Sequence, residues 1–280
     1  MKEIRIFIMI VLLFALSISL LFAEDAGLEW EVYNQEVMDL LKAGKYEAGE
    51  YDRAVILAQK ALEVAEKNAG PNHPDVATSL NNLAELYSAQ GQYAQAEPLH
   101  KRALAICEKE LGPNHPSVAT SLNNLAGLYR AQGQYAQAEP LYKRALAIHE
   151  KELGTNHPDV ALSLNNLALL YSDQGLYTQA EPLYKRALAI CEKALGPNHP
   201  NVAASLNNLA ELYSAQGQYA QAESLHKRAL AIHEKALGPN HPKVAASLNG
   251  LAGIYRATNR SEEAKALEQR AEEIIRVIQP

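Results

Sequence analysis

Three kinds of residue are scarce in this sequence of 280 residues: phenylalanine, cysteine and clustered basic residues. The three phenylalanines all lie in the first 22 residues, so aromatic packing in the rest of the chain depends on tyrosine and on Trp30. Lysine and arginine form no run, and the formal net charge is −6. Because a nucleic-acid-binding protein usually carries a basic patch or stripe, we expect no nucleic-acid partner.

The motifs of the common catalytic sites are also missing. The sequence contains no glycine-rich phosphate loop, no HExxH and no GxSxG. His73, Asp75 and Ser79 have the residue types of a hydrolase, but later copies of the same stretch replace the acid by Ser117 or Lys243. A reaction centre needs all its groups at one place. We therefore predict no catalytic residue, no cofactor, no metal site and no small-molecule substrate.

The first 23 residues differ from the rest of the chain. Lys2 and Arg5 precede an apolar run of 18 residues from Ile6 to Ala23, and polar sequence follows. This order is typical of a secretory signal peptide, although the run also reaches the lower limit of what can span a bilayer. We predict a signal peptide at residues 1–23 and an exported protein, periplasmic or secreted. The alternative is an uncleaved N-terminal anchor that holds the protein in the membrane through residues 6–23.

The remainder of the chain repeats itself every 42 residues. The tripeptide NHP begins at positions 72, 114, 156, 198 and 240, and SLNNLA or its variant SLNGLA begins at 79, 121, 163, 205 and 247. A fixed period of this length indicates units that pack on their neighbours. In the first unit Gly44 and Gly49 are two overlapping turn signals, and the sequence does not choose between them.

Each unit has the apolar spacing of two helices. Leu80 and Tyr87 lie seven residues apart on one face of the first helix. Pro74 suits the first helical position, where its missing N–H has no intrahelical partner in any case. Gly91 can adopt the left-handed turn that ends this helix. A second helix is predicted from about residue 93 to residue 110.

The stretch SLNNLAELYSAQGQYAQAEPLHKRALAICEK resembles the tetratricopeptide repeat. The matching residues are Leu83, Ala84, Tyr87, Gly91, Tyr93, Ala96 and Ala103. The longer unit, with HPxVAxSLNNLA, is similar to the repeats of kinesin light chains and of many bacterial arrays. The resemblance implies an all-α fold, a right-handed α-solenoid of stacked antiparallel helix pairs, which we place at residues 28–278. The six expected hairpins are residues 28–69, 74–111, 116–153, 158–195, 200–237 and 242–278.

The resemblance also implies a concave groove, lined by the first helices, that receives a peptide. Amides both donate and accept hydrogen bonds, so a row of asparagines could hold the backbone of an extended peptide. On a helical wheel both asparagines of NNLA point away from the apolar side, so we expect neither in the core. The asparagines that match the groove position of the family are Asn81, Asn123, Asn165, Asn207 and Asn249. The further candidates are Asn82, Asn124, Asn166 and Asn208, with Arg130 and Arg256 at a nearby position that varies between repeats. The alternative left open is that these asparagines bond neighbouring helices and only order the stack.

Two further sets of polar residues are interpreted as structural. The histidine of each NHP is expected to fix the turn between units and to bond a helix end. Late in the second helices, one register holds Cys107, His149, Cys191 and His233, which together look like a zinc ligand set. Adjacent helix axes lie about 8–10 Å apart, whereas zinc needs its ligands at about 2.0–2.3 Å. We therefore expect core residues and two free thiols.

The sequence thus predicts a non-catalytic protein–protein interaction scaffold that binds a peptide or protein partner in the concave groove. The alternative is a structural self-assembly element of the cell envelope.

Overall fold

The computed structural model describes residues 28–41 and 48–278, which form twelve helices and no strand. The helices are α1 (residues 28–41), α2 (Ala48–Ala69), α3 (Pro74–Ala89), α4 (Tyr93–Leu111), α5 (Pro116–Ala131), α6 (Tyr135–Leu153), α7 (Pro158–Asp173), α8 (Tyr177–Leu195), α9 (Pro200–Ala215), α10 (Tyr219–Leu237), α11 (Pro242–Ala257) and α12 (Ser261–Ile278). The predicted signal segment at residues 1–23 lies outside the described residues. None of the described helices is long and apolar enough to cross a membrane.

The chain divides into two compact units, unit 1 up to Gln132 and unit 2 from Gly133. In unit 1, α2 packs on α3, α3 on α4, and α4 on α5. In unit 2, each helix from α6 to α11 packs on the next one. First helices of successive repeats also touch, α3 with α5 in unit 1, and α9 with both α7 and α11 in unit 2. Consecutive helix pairs that pack in this order confirm the predicted all-α solenoid fold.

The first helices start in the same way from α3 onward. Each begins at a proline, and the preceding histidine is the N-cap residue. The Nδ1 atom of that histidine accepts a hydrogen bond from the backbone N–H two residues later, at 3.1–3.3 Å. The capping histidines are His73, His115, His157, His199 and His241. Their predicted role at a helix end is therefore confirmed.

The turn inside each repeat depends on one residue in the left-handed region. Gly91 has a φ of 73°, as its position after the first helix predicted. Asn259 takes this place in the last repeat with a φ of 62°. In the first repeat the 42-residue period places the turn at Gly49, but α2 already begins at Ala48. Gly49 is therefore helical, and the alternative turn at Gly44 lies outside the described residues.

From α3 onward, the core of each repeat combines aliphatic side chains on the first helix with alanines and an isoleucine on the second. In unit 2, Val160 and Leu164 of α7 are fully buried against Ala187 and Ile190 of α8. Alanines at these positions let the helix axes approach closely, and the same cluster continues into α9 and α10 through Leu206. Burial of large aliphatic side chains at regular intervals is the main source of stability in such arrays.

Candidate functional site

The first asparagine of the SLNN motif bonds to the next repeat. Its Nδ2 donates to the hydroxyl of the serine that begins the following SLNN or SLNG motif, on the neighbouring first helix. These bonds are Asn81 to Ser121 (3.2 Å) in unit 1, and Asn165 to Ser205 (3.4 Å) and Asn207 to Ser247 (3.2 Å) in unit 2. In these copies the amide N–H group is therefore engaged within the stack.

A histidine of the second helix completes this contact in two repeats. His100 Nδ1 lies 2.9 Å from Asn81 Oδ1, and His226 Nδ1 lies 3.0 Å from Asn207 Oδ1. An amide oxygen can only accept, so in both histidines Nδ1 carries the hydrogen. Burial lowers the pKa of His100 and His226 to about 4, so both rings are neutral at pH 7.

The asparagines are more buried than the helical wheel suggests. Asn81 and Asn82 each expose 9% of their surface and Asn123 exposes 6%, so the expectation that they lie outside the core is wrong for these three residues. For Asn81 and Asn82 the reason is that neighbouring first helices of unit 1 cover the amides, because Asn81 bonds to Ser121 of α5 and Asn82 bonds to Asn34 of α1. Asn249 is exposed, because no further first helix follows α11 among the described residues.

The second asparagine of the motif has a different environment. Asn124 in unit 1, and Asn166 and Asn208 in unit 2, are half-buried, and their side chains form no hydrogen bond within the described part of the chain. The amides of Asn124, Asn166 and Asn208 therefore have no partner among the described residues. Asn82 differs, because its Nδ2 donates to Oδ1 of Asn34 on α1 at 2.7 Å.

The last repeat has Gly250 at this second position. A Cβ atom on Gly250 would lie only 2.8 Å from Cε1 of His226, so the buried imidazole occupies the space that a side chain would need. The repeat that contains Asn124 has the equivalent histidine, His100, and keeps its asparagine, so a histidine at this register does not by itself exclude the side chain.

The two arginines of the predicted set differ in their contacts. Arg256 is exposed, and its guanidinium lies 2.6 Å from a carboxylate oxygen of Glu268 on α12. Arg130 is half-buried near the end of α5. The guanidinium of Arg256 is thus already paired within unit 2.

The cysteine and histidine register of the second helices faces the same serines. His149 Nδ1 lies 2.9 Å from Ser163 Oγ, and His233 Nδ1 lies 2.9 Å from Ser247 Oγ. Cys107 and Cys191 occupy the equivalent positions beside Ser121 and Ser205, with sulfur–oxygen distances of 3.6 and 3.7 Å. Both thiols are free and buried, and burial raises the pKa of Cys107. The predicted core role of this register is confirmed. No group of three potential metal ligands occurs among the described residues.

Sequence reasoning missed two sets of contacts between repeats. One set joins an arginine of a second helix to a glutamate of the preceding second helix, each at 2.6 Å. These ion pairs are Arg102–Glu66 in unit 1, and Arg186–Glu150, Arg228–Glu192 and Arg270–Glu234 in unit 2. In the other set a tyrosine hydroxyl donates to a glutamate at 2.9–3.1 Å; the pairs are Tyr129–Glu97, Tyr171–Glu139 and Tyr213–Glu181. In the sequence, the arginine follows its glutamate by 36 residues and the tyrosine follows its glutamate by 32 residues in each of these pairs, and this constant spacing could have indicated the contacts.

Comparison with known proteins agrees with this architecture. The family model described as tetratricopeptide repeat matches overlapping segments at residues 37–109, 86–151, 117–193, 159–235 and 207–276. The matched segments cover most of the described chain. The fold is that of an α-solenoid of helix pairs, and the chain belongs to the tetratricopeptide-repeat family.

Solved structures place it beside kinesin-light-chain-like repeats. BtubC (BKLC) from P. vanneervenii is 26% identical, with a TM-score of 0.66 over 84% of this chain and 93% of that one. Nearly identical TPR-like repeats from Podosopora anserina, of a protein proposed to be a kinesin light chain, are 35% identical, with a TM-score of 0.59 over 74% of this chain and 98% of that one. A Rap protein complexed with Competence and Sporulation Factor, 18% identical with a TM-score of 0.62 over 90% of this chain and 76% of that one, shares the fold. No curated protein sequence matches the chain.

Proposed function

We propose that this chain is a non-catalytic scaffold that binds a peptide or protein segment on the face formed by its first helices. Tetratricopeptide repeats generally mediate protein–protein interaction. The observation that carries the proposal is the pair of half-buried amides on α7 and α9 of unit 2, Asn166 and Asn208, which have no partner in the described chain.

The spacing of these amides suits an extended peptide. Neighbouring helix axes lie about 8–10 Å apart, and three residues of extended chain span about 10 Å. Within unit 2, Asn166 and Asn208 could therefore bond the peptide backbone at two positions three residues apart, because each amide can both donate and accept. In this proposal Asn165 and Asn207 hold the first helices in place, and Asn166 and Asn208 contact the ligand.

The different roles proposed for the two adjacent asparagines of each SLNN motif can be tested directly. A library of random linear peptides is selected on the full-length chain, and the affinity of the selected peptides is measured by calorimetry. We expect Asn166→Ala and Asn208→Ala each to weaken binding by about threefold to tenfold, the effect of one lost hydrogen bond. Asn198→Ala removes an exposed amide in a loop between repeats and is the control. Selection of no peptide, or equal affinity of all these variants, would refute the proposal.

We further propose that the chain is exported. The basis is the order of residues at the N-terminus, a charged head followed by an apolar run up to Ala23. The intact mass of the protein recovered from the exported fraction distinguishes the alternatives. Loss of about 23 residues indicates a cleaved signal peptide, and a full-length mass in the membrane fraction indicates an anchor. Full-length protein that is confined to the cytoplasm would refute export.

A further inference from the structure

The first-helix face of unit 2 carries two leucines that the equivalent face of unit 1 lacks. Leu162 on α7 is 55% exposed, and the same position holds threonine or alanine in the other repeats from α3 onward. Leu169, two turns further along α7, is half-buried, and its position holds glutamate or glycine elsewhere. Seven residues of helix put the two Cα atoms about 10 Å apart on one side of α7. The exposed Leu162 and the half-buried Leu169 thus form an apolar strip on one face of α7, and contiguous apolar surface can mark an interaction site.

The neighbouring helix leaves this pair open. α7 and α9 are in contact and are linked by the bond from Asn165 to Ser205. In the register of Leu162, α9 presents only the small, exposed side chain of Ala204. We call six exposed or half-buried positions in three shared registers of these two helices the unit-2 face: Leu162, Asn166, Leu169, Ala204, Asn208 and Glu211.

One uncompensated carboxylate borders the leucines. Glu211 on α9 occupies the position of Leu169, and its side chain is 67% exposed. The basic group paired with it in described unit 2 is His226, with Nε2 3.5 Å from the Glu211 carboxylate. That imidazole is buried and neutral at pH 7, because burial lowers its pKa to about 4. Arg256, on the next first helix, is paired with Glu268. No cation within the described part of unit 2 therefore neutralises Glu211.

We propose that the unit-2 face selects a peptide segment that carries aliphatic side chains close to a lysine or arginine. The aliphatic side chains pack on Leu162 and Leu169, and the basic side chain pairs with Glu211. The peptide backbone bonds to the amides of Asn166 and Asn208. This inference rests on the proposed function and adds the chemical class of the partner.

The contribution of the two leucines to peptide binding is tested by replacing both of them with alanine. Alanine occurs naturally at the position of Leu162, in Ala204 and Ala246, and it is a strong helix former at either position. We expect the double variant Leu162→Ala, Leu169→Ala to bind peptides selected on the wild type at least about tenfold more weakly, because it loses most of the apolar contact area. Thr120→Ala, the same position on α5 of unit 1, is the matched control and should leave the affinity unchanged.

The charge is tested by a double-mutant cycle. Glu211→Gln is combined with replacement of the basic residue of a selected peptide by glutamine. The two single changes should each weaken binding, and the double change should weaken it by less than the product of the two single fold-changes in affinity. Circular dichroism of every variant checks that helix content is retained.

The outcomes separate this inference from the function on which it rests. If the wild type selects peptides but the leucine variant binds them equally well, or the selected peptides are acidic, the inference is wrong and the proposed function stands. If the wild type selects no peptide at all, both are wrong.

Discussion

Asn207 and Ser247 bond across the boundary between two consecutive repeats, with Asn207 Nδ2 3.2 Å from Ser247 Oγ. The next residue along the chain, Asn208, forms no side-chain hydrogen bond within the described residues. Two adjacent asparagines on one helix therefore face different surroundings, because successive positions on a helix are rotated by about 100°. The first contacts the following repeat, and the second is left partly open to solvent.

This difference predicts separate effects on stability. Asn207→Ala removes bonds to Ser247 and His226 in a half-buried site and leaves the buried His226 without this partner, so we expect a loss of about 1–3 kcal/mol in the free energy of unfolding. Asn208→Ala removes no bond within the described chain and should change stability by less than about 0.5 kcal/mol. The midpoints of urea unfolding, followed by circular dichroism, measure both effects. Equal losses for the two variants would contradict the assignment of Asn207 to the stack.

Acid should destabilise the fold through the buried histidines. Burial lowers the pKa of His100 and His226 to about 4, against an ordinary value of 6.5. Above pH 6.5 both rings are neutral in the folded and the unfolded chain, so their contribution is fully present. As the pH falls from 6.5 towards 4 the unfolded chain binds protons that the folded chain excludes, and stability is lost by an amount on the order of 3 kcal/mol per histidine.

A tyrosine variant tests this pH dependence. Tyr142 and Tyr184 occupy the register of His100 and His226 in the intervening repeats, so the chain tolerates tyrosine there. The double variant His100→Tyr, His226→Tyr should show a clearly smaller fall in melting temperature between neutral pH and pH 4. Burial also lowers the pKa of His233, which leaves a residual dependence. An unchanged fall in the variant would show that other groups cause the acid sensitivity.

The helices could be predicted because their signals are local. A proline preceded by a capping histidine starts each first helix from Pro74 onward, and a residue with positive φ such as Gly91 ends its turn. Both depend only on residues close in sequence. Among the described residues, the 42-residue period predicts a turn wrongly in the first repeat, where Gly49 keeps the spacing but is already helical.

The candidate site could be predicted only in part, because its two asparagines are distinguished by packing between repeats. The sequence identifies Asn165 and Asn166 as polar positions on the first helix, and a single helical wheel turns both away from the core of that repeat. Which amide is covered depends on where the next first helix lies, and the bond from Asn165 to Ser205 settles it in the structure. The serine in each SLNN motif is the signal that could have indicated such a bond.

Aspartate should stabilise the start of a first helix at least as well as the capping histidine does. His199 Nδ1 accepts a bond of 3.1 Å from the backbone N–H of Asn201 at the start of α9. His199→Ala leaves that N–H without a side-chain acceptor and should cost about 0.5–2 kcal/mol. His199→Asp keeps an acceptor, adds negative charge at the helix N-terminus, and should preserve or raise stability. Thermal unfolding at neutral pH compares the two variants, and an alanine variant as stable as the aspartate variant would contradict a capping role.

The ion pairs between second helices argue against end-to-end stacking of chains. In Arg228–Glu192 and Arg270–Glu234 of unit 2, the glutamate of one repeat pairs with the arginine of the next. Forty-two residues after Glu234, the position that holds glutamate in the preceding repeats holds Arg276. Forty-two residues before Arg102, the position that holds arginine in the later repeats holds Lys60. Two chains stacked in the register of the repeats would therefore place Arg276 against Lys60, and like charges at a contact disfavour association.

We accordingly expect the full-length chain to be monomeric, with a mass that does not change with protein concentration in light scattering. Arg276→Glu removes the repulsion and restores the sign pattern of the preceding ion pairs, so any weak association at low salt should be stronger in this variant than in the wild type. The gain should be small, because a half-exposed ion pair contributes at most about 1 kcal/mol. A wild-type mass that rises with concentration would favour the self-assembly alternative, and insensitivity of that rise to Arg276→Glu would show that the contact lies elsewhere on the surface.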